Sequence, residues 1–132
     1  MRSKDKMTGL HHLALGARDV EGLAQFYQSL FGLAHLKTHH NVQGEIRSIW
    51  LDLAPGILMI EKSEHEFASL PPMTLGKGPF LIAFTILEND RDTFLSDLAK
   101  RGLKLEGQTN HTLYLRDPEH NRVAVSWHPG PH

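Results

Sequence analysis

The chain has 132 residues, and its 14 Lys and Arg against 15 Asp and Glu give a formal net charge of -1. No basic excess supplies a nucleic-acid-binding surface, and the apolar runs are far shorter than the ~20 residues of a membrane-spanning helix. The chain has no cysteine, which excludes disulfides, thiolate metal sites and cysteine catalysis. We expect a cytoplasmic protein with neither nucleic acid nor membrane as partner. Ten histidines are the unusual feature of the composition.

The first half of the chain predicts a strand, a helix and three further strands. The strand begins at His12, Asp19 is a suitable helix N-cap, and Gly32 stands where a left-handed C-terminal residue is wanted. The helical face is formed by Val20, Leu23, Ala24, Tyr27 and Leu30. Strand-like runs follow at 34–39, 46–53 and 57–61.

The second half repeats this order about 70 residues later. A strand begins near Leu81, Asn89 or Asp90 is the candidate N-cap, and Gly102 is the candidate C-terminal glycine. The helical face is formed by Phe94, Leu95, Leu98 and Ala99. Strands are predicted at 104–106, 111–116 and 122–127. The sequence therefore predicts an α+β fold of two tandem βαβββ modules, about 9–61 and 80–128. A linker at 62–79 joins them in one domain, 9–132, behind a flexible segment, 1–8.

Strand alternation separates a large apolar face, which the helix of each half should cover, from a mixed face. The mixed face carries polar and aromatic candidates for ligand binding: His12, Trp50, Glu61, Tyr114, Arg116, Arg122, Ser126 and His128. It also carries small residues such as Ala14, Gly16 and Ala124, which a solvated face does not need. The pattern favours a cleft for a moderately polar small molecule. The alternative is the solvated side of an antiparallel sheet.

Several segments together resemble the vicinal oxygen chelate superfamily of glyoxalase I enzymes, extradiol dioxygenases, and fosfomycin- and bleomycin-resistance proteins. They are residues 10–15 with 19–20, 26–27 with 31–33, and 117–123. The resemblance covers roughly residues 9–128. It implies two βαβββ modules forming a curled mixed sheet around a cleft (the glyoxalase/bleomycin resistance fold), commonly in a homodimer. His120 stands where the family usually has glycine, in a turn whose positive φ histidine tolerates.

The resemblance also implies four metal-ligand positions, and carried across they are His12, Glu61, Leu81 and Ala124. Leu81 and Ala124 cannot coordinate, and two ligands normally hold a catalytic metal too weakly. We therefore expect no metal cofactor, with a divalent metal at His12 and Glu61 as the alternative. We expect no glyoxalase I activity either, because alanine at 124 cannot move a proton.

The remaining histidines offer no replacement ligand. His128 lies about 13 Å from Ala124 by strand rise, and His39, His40 and His65 are interpreted as surface residues. His11 should point to the face opposite His12. We interpret His12 and Glu61 as a hydrogen-bonded pair across neighbouring strands.

Three functional hypotheses follow. The first is a metal-free binding protein that holds a ligand between Trp50 and Tyr114, with Arg116 or Arg122 attracting an anionic group and His12 and Glu61 as hydrogen-bonding groups. The second is a metal-dependent lyase, isomerase or dioxygenase with an altered ligand set. The third is metal-free catalysis with Glu61 or His12 as the acid–base group. Module packing is the alternative role of Trp50 and Tyr114, and a solvated rim that of the arginines.

Overall fold

A computed structural model describes residues 9–64, 76 and 78–127. The predicted flexible segment 1–8, His65 and His128 lie outside the described residues. The chain divides into two compact units, residues 1–66 and 67–132. Their union in a single domain stays a prediction. No helix in the described part of the chain has the length and apolar character needed to cross a membrane.

The first module has the predicted βαβββ order. Its elements are β1 (His12–Ala17), α1 (Val20–Phe31), β2 (His35–His40), β3 (Ile46–Leu53) and β4 (Gly56–Lys62). The strands form a mixed sheet of order β1-β4-β3-β2, in which β1 runs parallel to β4 and the other pairs are antiparallel.

Helix α1 begins and ends at the predicted residues. The Asp19 side chain accepts a hydrogen bond from the backbone N–H of Gly22. Gly32 ends the helix at φ 70°, and its N–H donates to the carbonyl of Tyr27. All five residues of the predicted apolar face are buried, and the helix packs on β3 and β4. The cap and the apolar stripe therefore place the helix against one face of the sheet.

Gly56 permits a close approach between the start of β4 and the chain that leads into β1. A Cβ at this position would collide with the carbonyl oxygen of Leu10 and lie 3.0 Å from that of His11. The N–H of Ile57 donates to the same His11 carbonyl at 3.0 Å. A residue without a side chain is therefore needed where β4 begins.

The second module repeats the order, but its second strand has only two residues. Its elements are β5 (Ile82–Thr85), a 3₁₀ turn (Glu88–Asp90), α2 (Arg91–Lys100), β6 (Gly107–Gln108), β7 (Thr112–Arg116) and β8 (Arg122–Ser126). Its sheet has the order β5-β8-β7-β6. The prediction of a strand at 104–106 is wrong. Hydrogen bonding to β7 begins only at Glu106, whose N–H donates to the Tyr114 carbonyl at 2.7 Å.

Helix α2 departs from the prediction in two details. Asp90 occupies the N-cap position but makes no side-chain capping bond, since it also ends the 3₁₀ turn. Of the predicted face, Phe94 and Leu98 are buried, whereas Ala99 is exposed and Leu95 is half-buried. Gly102 has the predicted positive φ, 70°.

The two faces of each sheet separate as the alternation predicts, but the mixed face is not simply solvated. The apolar face is buried at its centre in both sheets: Ile49, Leu51, Leu58, Ile60, Leu113, Leu115, Val123 and Val125. On the mixed face, Ser48 is 1% exposed, Ala124 0% and Arg122 6%. The centre of the mixed face is thus covered in part, whereas His12, Ala14 and Gly16 on the same face are exposed.

A buried carboxylate organises the turn between β7 and β8. Asp117, only 2% exposed, accepts from the N–H groups of Glu119 and Asn121 and from the Asn121 amide. His120 adopts φ 69°, the predicted positive value. The turn therefore keeps a left-handed residue at the position where the family usually has glycine.

Candidate functional site

The mixed face of the first sheet arranges its side chains in rows that cross the strands. His39 on β2 pairs with Ser48 on β3, Ser48 with Glu61 on β4, and Glu61 with Gly16 on β1. These four residues are called the His39 row. Side chains that are direct neighbours in such a row stand about 5 Å apart. The row therefore brings an imidazole, a hydroxyl and a carboxylate together, and Gly16 leaves its β1 end without a side chain.

The strand register separates His12 from Glu61. His12 pairs with Ile57, whereas Glu61 pairs with Gly16, four residues further along β1. Four residues of strand correspond to about 13 Å. The interpretation of His12 and Glu61 as a hydrogen-bonded pair is therefore wrong.

His12 instead contacts its sequence neighbour. The Nδ1 atoms of His11 and His12 lie 2.9 Å apart, and their rings meet edge to face. The prediction that His11 points to the opposite face is wrong, because His11 precedes β1 and strand alternation does not apply to it. Both histidines are exposed.

Trp50 contacts two members of the His39 row, Glu61 and His39. Its indole Nε1 donates to Oε2 of Glu61 at 3.3 Å, and its ring lies 4.6 Å from that of His39 at an angle of 56°. Nη1 of Arg47 lies 4.0 Å from the other Glu61 oxygen. Trp50 and Glu61, both predicted as site residues, therefore do lie in one cluster.

Two polar atoms of the same row are buried without a hydrogen-bond partner among the described residues. They are Oγ of Ser48 and Nε2 of His39. The interpretation of His39 as a surface residue is wrong, because it lies in β2 rather than in a turn and is half-buried. The signal that could have found it is parity: paired with Ser48, it shares the face of Trp50 and Glu61.

The register also identifies which residues correspond between the two modules. Ala14 and Ala83 lie two residues after His12 and Leu81, and they pair with Met59 and Ala124 respectively. Met59 is thus the counterpart of Ala124, and Glu61 is the counterpart of Ser126. Of the four positions that the resemblance implies, Leu81 and Ala124 offer no metal ligand, and the register separates His12 from Glu61.

The described residues do not fit a metal centre of the family type. No group of three or more His, Asp or Glu side chains within ranges 9–64 and 78–127 is placed to hold a metal ion. Leucine, methionine and alanine at the corresponding positions supply no nitrogen or oxygen ligand for the family's octahedral geometry.

In the second sheet, the predicted anion-binding arginines meet a carboxylate. Nε of Arg116 donates to Glu106 at 2.6 Å, and Nε of Arg122 donates to the other oxygen at 3.1 Å. The guanidinium of Arg122 also lies 3.9 Å above the ring of Phe80. Arg122 is buried, so a solvated rim is the wrong description of it. These contacts favour a structural role for Arg122.

Burial and charge act in opposite directions on Glu106. Burial raises the pKa of Glu106, but the hydrogen bonds from Arg116 and Arg122 and their positive charges outweigh it. The pKa of Glu106 is consequently lowered from its ordinary value of 4.5.

The other predicted residues of the second module are placed as follows. Ser126 shares a hydrogen bond of 2.8 Å with Thr112 and donates to the His111 carbonyl at 3.1 Å. Tyr114 pairs with Ala124 and is half-buried. Its participation with Trp50 in one ligand cleft stays a prediction, as do the roles predicted for Ser126 and His128.

A surface depression of about 490 Å³ on the second module was not predicted. It is lined by Glu88, Arg91, Gln108, Thr109, Asn110 and Trp127. No motif marks these residues, which come from the 3₁₀ turn, the start of α2, β6 with the loop after it, and the residue that follows β8.

The chain is similar to known proteins over most of its length. The family model of the Glyoxalase/Bleomycin resistance protein/Dioxygenase superfamily matches residues 9–125. No curated protein matches in sequence.

Solved structures share the fold at low identity. A glyoxalase/dioxygenase from Nostoc punctiforme is 17% identical with a TM-score of 0.75, covering 91% of this chain and 90% of its own. A lactoylglutathione lyase from Agrobacterium tumefaciens is 18% identical with a TM-score of 0.67, covering 92% and 95%. A variant of the fosfomycin resistance protein FosX from Listeria monocytogenes, complexed with Mn(II) and 1S,2S-dihydroxypropylphosphonic acid, is 17% identical with a TM-score of 0.72, covering 91% and 92%.

Proposed function

Since the chain belongs to the Glyoxalase/Bleomycin resistance protein/Dioxygenase superfamily, we propose that it binds a small, moderately polar or aromatic molecule without a resident metal ion. The observation that carries the proposal is the contrast on the mixed face of the first sheet. Leu81 and Ala124, two of the four ligand positions that the resemblance implies, cannot coordinate, yet Trp50, Glu61 and His39 form a half-buried cluster. An aromatic surface beside a few fixed polar groups is typical of small-molecule sites.

The charges of the cluster bear on the kind of ligand. Glu61 disfavours an anion, and Arg47, 4.0 Å away, weakens its attraction for a cation. In the second module, Glu106 occupies the Nε atoms of both arginines that were predicted to attract an anion. The proposed ligand is therefore neutral at its polar end. We further propose a cytoplasmic location, on the basis of the composition, and a homodimer, because members of the family are commonly homodimers.

Metal content tests the first half of the proposal. Elemental analysis of the purified protein should find Ni, Zn, Fe and Mn well below one ion per chain, and adding each ion should leave the Tm unchanged. A stoichiometric ion that raises the Tm, and that is lost in His12→Ala but retained in a control variant at the exposed His40, would establish the metal-dependent alternative instead.

A thermal-shift screen tests the second half. A bound molecule stabilises the folded state by mass action, and at a concentration 100 times its Kd it adds about 2.7 kcal/mol. We expect compounds that raise the Tm of the wild type and fail to do so in Trp50→Ala. The Ni- or Zn-stimulated isomerisation of the methylglyoxal–glutathione adduct should be absent. A screen in which no compound raises the Tm contradicts the proposal.

A further inference from the structure

Oγ of Ser48 and Nε2 of His39, the two unpartnered atoms of the His39 row, lower the stability of the fold, and this cost points to a ligand. Ser48 is 1% exposed, and no hydrogen bond to its Oγ or to Nε2 of His39 exists within the described residues. A buried polar group without a partner destabilises a protein by the full cost of its lost hydration. Such groups are rare in native proteins, and a catalytic or ligand-binding role is one reason for keeping them.

The row presents a defined set of donors and acceptors. An ionised Glu61 only accepts, a Ser48 hydroxyl both donates and accepts, and His39 does either according to its tautomer. A matching group must therefore donate to Glu61 and accept from Ser48 or His39. It must also be uncharged, because Glu61 disfavours an anion and Arg47 weakens the attraction of Glu61 for a cation. A primary carboxamide meets these requirements, since its NH2 donates and its carbonyl accepts.

We propose that the His39 row binds the primary carboxamide group of a small planar molecule. The amide NH2 donates to Glu61, the amide carbonyl accepts from Ser48 and His39, and the planar remainder packs on the indole of Trp50. This assignment rests on the proposed function, because it names the polar end of the same ligand.

The Glu61 side chain is held by two weak contacts. The hydrogen bond from Trp50, at 3.3 Å, lies beyond the usual N–H···O range, and the Arg47 guanidinium lies 4.0 Å from the other oxygen. The Glu61 side chain is 37% exposed, so it has room to move. Ser48 lies between His39 and Glu61 in the row.

Benzamide and benzoate are matched probes for this site, because they share a ring and differ in the charge of the polar group. The readout is the pair of indole N–H resonances in a ¹H–¹⁵N spectrum, since the chain has two tryptophans. Benzamide should shift the Trp50 resonance and leave that of Trp127 as an internal reference. Benzoate should bind at least about tenfold more weakly. Equal affinity for the two probes, or no shift of Trp50 by benzamide, overturns the proposal.

Ser48→Ala removes the hydroxyl without adding bulk. It should weaken benzamide binding by about three- to tenfold, the equivalent of one hydrogen bond. Thr38→Ala is the matched control, because Thr38 precedes His39 on β2 and pairs with Ile49 of the apolar face. Unchanged benzamide affinity in Ser48→Ala overturns the assignment, and so does a crystal structure in which an ordered water occupies the row and benzamide does not displace it.

The outcomes separate this inference from the proposed function. A compound from the thermal-shift screen that requires Trp50 but is indifferent to Ser48→Ala overturns the carboxamide assignment and supports small-molecule binding. A screen without any stabilising compound, together with unaffected indole resonances, overturns both.

Discussion

On the second sheet, Glu106 accepts from Arg116 and Arg122, and Ser126 is bonded to Thr112 and to a carbonyl. On the first sheet, Ser48 and the Nε2 of His39 are buried with no partner in the described part of the chain. Both sheets have the same strand order and register. The polar side chains of the second sheet thus bond to one another, whereas these two atoms of the first sheet carry the proposed ligand site.

Removing the shared carboxylate should have the largest effect. Glu106→Gln leaves Arg122 buried without a charged partner, so we expect the free energy of unfolding to fall by about 2–3 kcal/mol. Urea denaturation measures this change. Asp97→Asn breaks the more exposed Arg101–Asp97 pair and should cost less than about 0.5 kcal/mol. Similar losses in the two variants would contradict the structural role of Glu106.

The same comparison should depend on pH. Because the pKa of Glu106 is lowered in the folded state from its ordinary value of 4.5, its stabilisation is fully present above that value and is lost as the pH falls through the lower folded value. The difference in unfolding free energy between the wild type and Glu106→Gln should therefore be constant near neutrality and shrink below about pH 4. Urea denaturation across this range checks it, and a difference that grows on acidification contradicts it.

Two serine variants sharpen the contrast between the modules. Ser48→Ala removes an unpartnered hydroxyl and should raise the unfolding free energy by about 1 kcal/mol, whereas Ser126→Ala removes a partnered one and should lower it by about 1 kcal/mol. Chemical denaturation of both variants gives the two signs. A loss of stability in Ser48→Ala would mean that its hydroxyl already has a partner, and the contrast would fail.

The smallest effect should come from the turn in the second module. His120 holds φ 69° with a side chain, so His120→Gly should stabilise by up to about 1 kcal/mol. Gly32 has almost the same φ, and a Cβ there would contact nothing within 4 Å. Gly32→Ala should therefore destabilise by about 1 kcal/mol through backbone strain alone. Thermal denaturation of both variants tests the pair, and two shifts of the same sign would refute it.

The local rules of sequence predicted most of the fold. The apolar stripe of α1, its Asp19 cap and the alternation of β3 and β4 each depend on near neighbours in the chain. The site was less predictable, because register between strands is a long-range property. A parallel pairing that sets Glu61 beside Gly16 separates it from His12, and no local pattern around either residue encodes that offset.

The second module shows the same limit from another side. Arg116 and Arg122 were recognisable as charged residues of the mixed face, but their partner Glu106 lies in a segment that was predicted as a strand. The turn after β7 carried its own signal, since Asp117 and Pro118 mark a turn locally. Residues whose role depends on a distant partner were therefore the ones misjudged.

Gly56 gives the histidine pair an unexpected dependence. The carbonyl groups of residues 10 and 11 lie where a Cβ at position 56 would be, and the His11 carbonyl accepts from the N–H of Ile57. A methyl group introduced there would lift the whole entry to β1 and carry His11 and His12 with it, while the hydrophobic interior stayed in place. The positions of two imidazoles thus depend on the lack of a side chain at residue 56. A substitution there would move both rings without contacting either of them.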